Sequence, residues 1–480
     1  MFSSQEQSIL GGIVIFYFLF LFAISFYINK KSIKTYDDYN VAGRSVSMFP
    51  LILTFLGTAI GGSTLLGFMT NGYNFGMGQH WLNFSIFITG VFMMFFFLKK
   101  IRAYGEKYDM VTIADYTTLR FGEGARFPTV ISILIAYCAI TGMQFIAIAT
   151  ILNLTVGISI TAGIIVSWIM LSIKTYYGGM KSVIWQDAFH GTIQTVGIFI
   201  LFIVVIIASG GWSQISENAA ALGEGANLSV FSISTTEVLV YLLTIGGYQF
   251  VRQDLWQRFW AAKDVKTASI GYWISIILAL VTGIFVIMIG VAGKYGLDMG
   301  EINPTLAYYA ISEHVFNFPM VIVMIIALLA TVISTADSFF MAGASSIVND
   351  VIRPRMEVQD DRKLLKYSRL SVILVSLLAL VLALYIPNLV DLWVTGTAML
   401  VSALVAPVTF GLFWKGTTKI GGTVGMWVGL FVAVGWQLTG HPFGIHPVFL
   451  GLPISIILTV AISLMTQSKN AKGQLEKAAL

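Results

Sequence analysis

The chain has 480 residues, of which 57% are hydrophobic and 11% charged, with a mean hydropathy of +0.84. That apolar share exceeds the roughly half found in soluble domains and excludes an ordinary water-soluble fold; the composition is that of a polytopic protein embedded in a lipid bilayer. The net charge of +5 does not point to nucleic acid, because the basic residues sit in short loops beside apolar runs, and a single cysteine, Cys138, excludes an intramolecular disulfide.

Apolar runs long enough to cross a bilayer, about 20 residues each, begin near Ile9, Met48, Phe75, Pro128, Gly157, Ile184, Thr235, Ser269, Phe318, Leu365, Leu389, Ile420 and Pro447. They predict an all-α fold of thirteen transmembrane helices forming one domain over residues 1–480. Its parts are an extra N-terminal helix at 9–28, a core at 48–414, two C-terminal helices at 419–467 and a cytoplasmic tail at 468–480. The first run has no basic segment before it and is too long for a signal-peptide core, so it reads as a retained helix. Every second loop is basic, beginning with Lys30, Lys31, Lys34 and Arg44 and continuing with Lys99, Lys100, Arg102 and Lys107. Lys174 and Lys181, then Arg252, Arg258, Lys263 and Lys266, repeat the pattern, whereas the stretch 209–236 holds no Lys or Arg. The positive-inside rule then puts the N-terminus outside and the C-terminus in the cytoplasm, with the chain in the plasma (inner) membrane.

Two spans are interrupted by glycine. The second contains Gly57-Thr-Ala-Ile-Gly61-Gly62-Ser63-Thr64 and the seventh Gly246-Gly247-Tyr248-Gln249. Glycine also serves as a packing surface in membrane helices. The five-span separation fits inverted repeats, each opening on a broken helix whose free backbone groups bind solute and ion near the midplane.

The ninth span carries Thr331-Val-Ile-Ser334-Thr335-Ala-Asp337-Ser338 in its middle. At about 100° per residue the polar members share one side of a helix. An aspartate at a membrane-helix centre costs roughly 2.5–3.5 kcal/mol on insertion scales, so it asks for a partner. Clustered hydroxyl, carboxylate and carbonyl oxygens suit a small hard cation; interhelical hydrogen bonding by Ser and Thr is the competing reading. No Lys or Arg lies deep in any expected span, so an anionic solute would lean on a bound cation, backbone N–H groups or half-helix dipoles. A membrane-embedded enzyme would need converging nucleophile, base or metal ligands, and His190, His314, His441 and His446 are scattered along the chain.

Four segments resemble the sodium/solute symporter family, which includes the sodium/proline, sodium/glucose, pantothenate and sialic acid symporters. They are Gly61-Gly-Ser-Thr-Leu-Leu-Gly67 with Gly72-Tyr73 and Gly76, Gly178-Gly-Met-Lys-Ser-Val-Ile-Trp-Gln-Asp187, Gln257-Arg258 with Ala261-Ala-Lys263, and Ser334-Thr-Ala-Asp-Ser338. The resemblance implies a five-plus-five inverted-repeat core of the leucine-transporter type. It also implies a sodium ion held by carbonyls at Gly57, Ile60 and Thr331 and by the hydroxyls of Ser334 and Thr335. A second cation site would combine Asp187 with Ser334, Thr335, Asp337 and Ser338, and a helix-capping charge is the plainer reading of Asp187. Where sodium/proline members carry an aspartate this chain has Ala59, which disfavours proline. Ser63, Thr64, His80, Asn83, Gln144, Tyr248 and Gln249 are candidate solute contacts; for His80 an interfacial position near the outer surface is simpler.

The resulting expectation is a sodium-coupled symporter importing a small polar organic solute by alternating access, and no enzyme. A solute sensor on a transporter-like fold and a proton-coupled transporter are the alternatives; the bilayer and the solute are the expected partners, with no obligate protein partner. A reporter active only in the cytoplasm should work when fused after Leu480 and fail near Met1. The reverse pattern would overturn the orientation drawn from loop charge.

Overall fold

The computed structural model describes residues 3–357, 360–385 and 389–467, without the side chains of residues 32, 63 and 389–391. The expected tail at 468–480 lies outside the described residues. The first eight α-helices are α1 Ser4–Ser32, α2 Tyr36–Asn40, α3 Met48–Ala59, α4 Phe68–Phe75, α5 His80–Phe92, α6 Leu98–Tyr108, α7 Ile113–Phe121 and α8 Arg126–Val156. They are followed by α9 Ile160–Ala208, α10 Gly211–Ala221, α11 Thr235–Tyr241, α12 Gln253–Ala261, α13 Val265–Gly296 and α14 Ala307–Val315. The last five are α15 Phe318–Ser345, α16 Asp361–Tyr385, α17 Leu389–Phe413, α18 Lys419–Leu438 and α19 Val448–Thr466.

Among the described residues, ten stretches are long and apolar enough to cross a membrane. The difference from the thirteen expected lies in how the helices join and break. Two expected runs lie within the single 49-residue α9. Continuous helix of that length would extend about 70 Å, more than twice the roughly 30 Å of hydrocarbon. The chain breaks it at Gly179, which has φ 64° and ψ 173°. No side chain fits there, because a Cβ would stand 2.7 Å from the Tyr39 ring. The second expected run is divided between α3 and a wide turn leading into α4, and the seventh between α11 and α12.

Side-chain size decides which helices touch. The backbones of α4 and α13 meet at two glycines: a Cβ on Gly72 would press on the Ile287 carbonyl, and one on Gly290 would lie 2.9 Å from the Tyr73 nitrogen. On α18, Gly421, Gly425 and Gly429 recur every fourth residue against Ser463, Thr459 and Ser455 of α19, and Ser455 donates to the Gly425 carbonyl at 3.0 Å. Small residues and Ser/Thr hydrogen bonds replace the hydrophobic effect where lipid is as apolar as leucine. Phe16, Leu19, Phe95 and Ile207 are exposed, as lipid-facing side chains should be. By contrast every residue from Ala327 to Asp350 is buried, so the middle of α15 is enclosed on all sides. Cys138 is buried on α8, with its thiol 3.7 Å from the Val375 carbonyl.

Inserting methyl groups into a close-packed crossing costs about 1–3 kcal/mol. Gly72→Val and Gly290→Val should each lower the thermal midpoint of the purified protein. Gly12→Val, where nothing lies within 4 Å, should leave it unchanged.

Candidate functional site

Helix α3 stops at Ala59, and Ile60 leaves helical geometry with φ −108° and ψ 85°. The backbone groups freed there must find partners, since hydrocarbon supplies none. Gly62 N–H donates to Gln144 Oε1 of α8 at 3.1 Å, and the Thr64 hydroxyl turns back to the Ala59 carbonyl at 3.2 Å. Glycine is needed at the break for close approach: a Cβ at Gly57 would lie 2.8 Å from Ser334 Oγ, at Gly61 2.6 Å from Thr335 Oγ1, and at Gly62 2.8 Å from Gln144 Oε1. The break is therefore clamped between α15 and α8.

On the α15 side, Thr335 Oγ1 donates to the Gly57 carbonyl at 3.4 Å and to the Thr331 carbonyl at 3.2 Å. Ser334 Oγ donates to Asp187 Oδ1 at 2.5 Å. Gly57, Thr331, Ser334 and Thr335 are thus brought together at the α3 break. The Thr331 hydroxyl is turned away to the Ala327 carbonyl at 2.8 Å, leaving its carbonyl as the oxygen offered to the break.

Asp187 and Asp337 are held by different partners. Asp187, fully buried eight residues beyond the Gly179 kink, accepts from Thr54 at 2.5 Å, Ser334, and the Arg258 guanidinium at 3.3 Å. That enclosure rules out a surface-capping role. Arg258 also donates to Thr58 and Ser338, each at 2.6 Å, to Thr54 at 3.1 Å, and to the Asp254 carbonyl at 3.0 Å. Asp337 instead forms a buried ion pair with Lys174 and accepts from Thr175 at 2.6 Å. Each carboxylate has its own internal cation.

The second break falls at Arg252, the residue before α12, with φ −73° and ψ 106°. Its guanidinium meets Asp254 through two nitrogens, at 3.2 and 2.6 Å, and Gln249 Oε1 at 3.3 Å. Tyr137 of α8 donates to Asp254 Oδ1 at 3.0 Å. A narrow cleft lies between the two breaks, lined by Thr58 and Ala59 of the first and by Gln249, Arg252, Asp254 and Arg258 of the second.

The expected solute contacts divide. Thr64 and Gln144 secure the first break, and Tyr248 and Gln249 stand at the second; the buried Tyr248 hydroxyl has no hydrogen-bond partner among the described residues. Gln249 lines the cleft. Asn83 instead anchors α5 to α13, donating to the Leu280 carbonyl at 2.8 Å beside Gly283. His80 is buried and stacked on Phe84. The side chain of Ser63 lies outside the described residues.

Four residues counted as loop charge are corrected by the structure: Arg102, Lys174, Arg252 and Arg258 are 3%, 3%, 7% and 1% exposed. Cations do lie deep in this protein, each beside a carboxylate. Arg252, Asp254 and Arg258 were also missed as site residues, although a signal was present. Trp256, Phe259 and Trp260 are interleaved with them, and a solvated loop does not carry three large aromatics in nine residues; the structure buries all of α12.

Comparison with known proteins identifies the fold and the family. The sodium/proline symporter of Staphylococcus aureus is 24% identical over 477 residues, covering 95% of this chain and 92% of that protein. A Na⁺-coupled sialic acid symporter, solved substrate-bound and outward-open with a novel Na⁺-site, superposes with a TM-score of 0.80 at 18% identity, covering 96% of this chain and 98% of its own. Mhp1, a nucleobase-cation-symport-1 family transporter, gives 0.59 at 15% identity, covering 92% and 95%. These structures share the fold. The model of the sodium:solute symporter family matches residues 39–429, and the chain belongs to that family of transporters.

Proposed function

We propose that the chain is a sodium-coupled secondary active symporter that imports a small polar organic solute by alternating access. The observation that carries this reading is the meeting of the α3 break with the hydroxyl stripe of α15, where Thr335 donates to the Gly57 carbonyl and the Gly57 backbone lies against Ser334. Sodium, as cargo, would take the carbonyls of Gly57, Ile60 and Thr331 and the hydroxyls of Ser334 and Thr335. An all-oxygen set suits a hard monovalent ion.

A second cation at Asp187, Ser334, Thr335, Asp337 and Ser338 would compete with Arg258 at Asp187 and Ser338 and with Lys174 at Asp337. Such an ion needs a state in which those side chains have withdrawn, so we assign the primary coupling ion to the first set. Coupling follows from differential affinity: sodium and solute both engage the broken helix containing Gly57, and each binds most tightly when the other has fixed its geometry. The relatives' proline does not carry over to a chain that has Ala59 at the family's aspartate position.

Ser334→Ala and Thr335→Ala should each raise the sodium concentration for half-maximal uptake by about tenfold, because a hydrogen bond or ligand to a charged group is worth about 1.5–3 kcal/mol and tenfold is about 1.4. Uptake in proteoliposomes as a function of sodium measures this. A double variant with wild-type sodium dependence would remove the ion from this stripe.

A further inference from the structure

Among the described residues the buried carboxylates are Asp187, Asp254, Asp337 and Asp350. The first three have internal cations, Asp187 in Arg258, Asp254 in Arg252 and Asp337 in Lys174. Asp350, 2% exposed, forms no ion pair with any described Lys or Arg. Its Oδ1 accepts from Thr112 Oγ1 at 2.6 Å and from Asn349 Nδ2 at 2.9 Å, and its buried Oδ2 has no hydrogen-bond partner among the described residues. An ionised carboxylate enclosed without a counter-charge is costly, so Asp350 calls for a positive charge that the chain itself does not place on it.

The surroundings are those of a hard cation. Asn349 Nδ2 also donates to Asp115 Oδ1 at 2.8 Å, which holds a second, half-buried carboxylate beside the first. Asp115 Oδ2 is committed to the Val111 and Thr112 N–H groups, at 2.8 and 3.0 Å, at the start of α7. The nearby arginines donate to other atoms: Arg126 to the Asp350 carbonyl at 3.4 Å and to Glu123 at 2.8 Å, and Arg353 to Asn349 Oδ1 at 3.2 Å. Carboxylate oxygens of Asp350 and Asp115 and the Thr112 hydroxyl thus gather from two elements, without nitrogen or sulfur ligands. The backbone at Asp350 is a wide helical turn, Ser346–Ile352, a distortion that recurs at functional sites.

Position along α15 gives the group a use. Asp350 lies sixteen residues beyond Ser334, about 24 Å at 1.5 Å per residue, toward the end that loop charge places in the cytoplasm. The chain between is buried throughout, and Ser338 and Ser345 follow Thr331 at seven-residue intervals on one face. Arg258 at Ser338 and Lys174 at Asp337 stand beside that face. A cation moving from the first set toward the cytoplasm passes two fixed positive charges and then meets an uncompensated negative one.

We propose that Asp350, with Asp115 and Thr112, binds a small hard monovalent cation and is the station through which sodium leaves the protein. The identity of the ion rests on the symport reading; the existence of the station rests on the unpaired carboxylate.

Binding of radioactive sodium to purified protein, with choline as the balancing cation, tests this. Ser334→Ala/Thr335→Ala, which removes the first set, should still bind sodium, and adding Asp350→Asn should abolish that remainder. Asp350→Asn alone should bind one ion fewer than wild type at saturation. Asp115→Asn should weaken the remaining binding at least about tenfold. An unfolding midpoint measured in choline reports that each variant is folded. In proteoliposomes, internal sodium should inhibit uptake at least about tenfold less effectively in Asp350→Asn. Loss of all sodium binding in the Ser334/Thr335 variant, or wild-type stoichiometry and wild-type internal inhibition in Asp350→Asn, would overturn the station and leave the first set standing; the carboxylate would then hold a proton. No sodium binding to the wild type would instead remove the symport reading together with the station.

Discussion

The arrangement depends on where the donors of one buried guanidinium go. The Arg258 guanidinium is buried among oxygens from several elements: Thr54 and Thr58 from α3, Asp187 from α9, Ser338 from α15 and a carbonyl from its own helix. Four helices meet at one side chain. A guanidinium suits this place better than an ammonium because its planar fork reaches in fixed directions and sheds hydration at lower cost. The first broken helix is thereby tied to the second, through the residue that follows Asp254 by one helical turn.

Around this hub, the breaks in α3 and before α12 follow from the same rule. Backbone released from helical pairing in a membrane survives only where protein surrounds it. Gln144 and Thr64 serve the first break, and the Asp254 amide of the second accepts no such luxury from water but donates to Tyr137 at 3.1 Å. Helix α8 contributes to both, through Gln144 and Tyr137, two turns apart on one buried face. It acts as a common rail for the two discontinuities, and the glycines at 57, 61 and 62 exist so that α15 and α8 can press against the exposed backbone.

Much of this was legible in the chain. Apolar length located the helical runs, because burial in lipid leaves few other choices, and the glycine cluster at 57–62 marked the first break; the pair at 246–247 lies in helical backbone, five residues short of the second break at Arg252. The stripe from Thr331 to Ser338 declared itself because hydroxyls and a carboxylate stood where apolar residues were required. Hidden were the ion pairs. Lys174 and Asp337 are 163 positions apart, and Asp187 and Arg258 are 71 apart. A hydropathy window treats each isolated charge as the edge of a span, so Lys174, Arg252 and Arg258 were counted as loop residues. His80 and Asn83 show the converse. Polar residues inside a span invite a binding role, yet Asn83 is occupied in holding α5 to α13, and nothing in spacing distinguishes those uses.

The pairing of Lys174 with Asp337 bears on how this chain can change over generations. Losing one member leaves a lone charge enclosed by α9 and α15, which typically costs 3–5 kcal/mol, whereas replacing both with well-packed apolar groups is often neutral. Lineages descending from this protein would cross that barrier only by changing both codons nearly together, or by keeping both. The two positions should therefore be inherited as a unit, lysine with aspartate or neither, and a descendant carrying just one would mark a neighbouring residue that has taken up the missing charge.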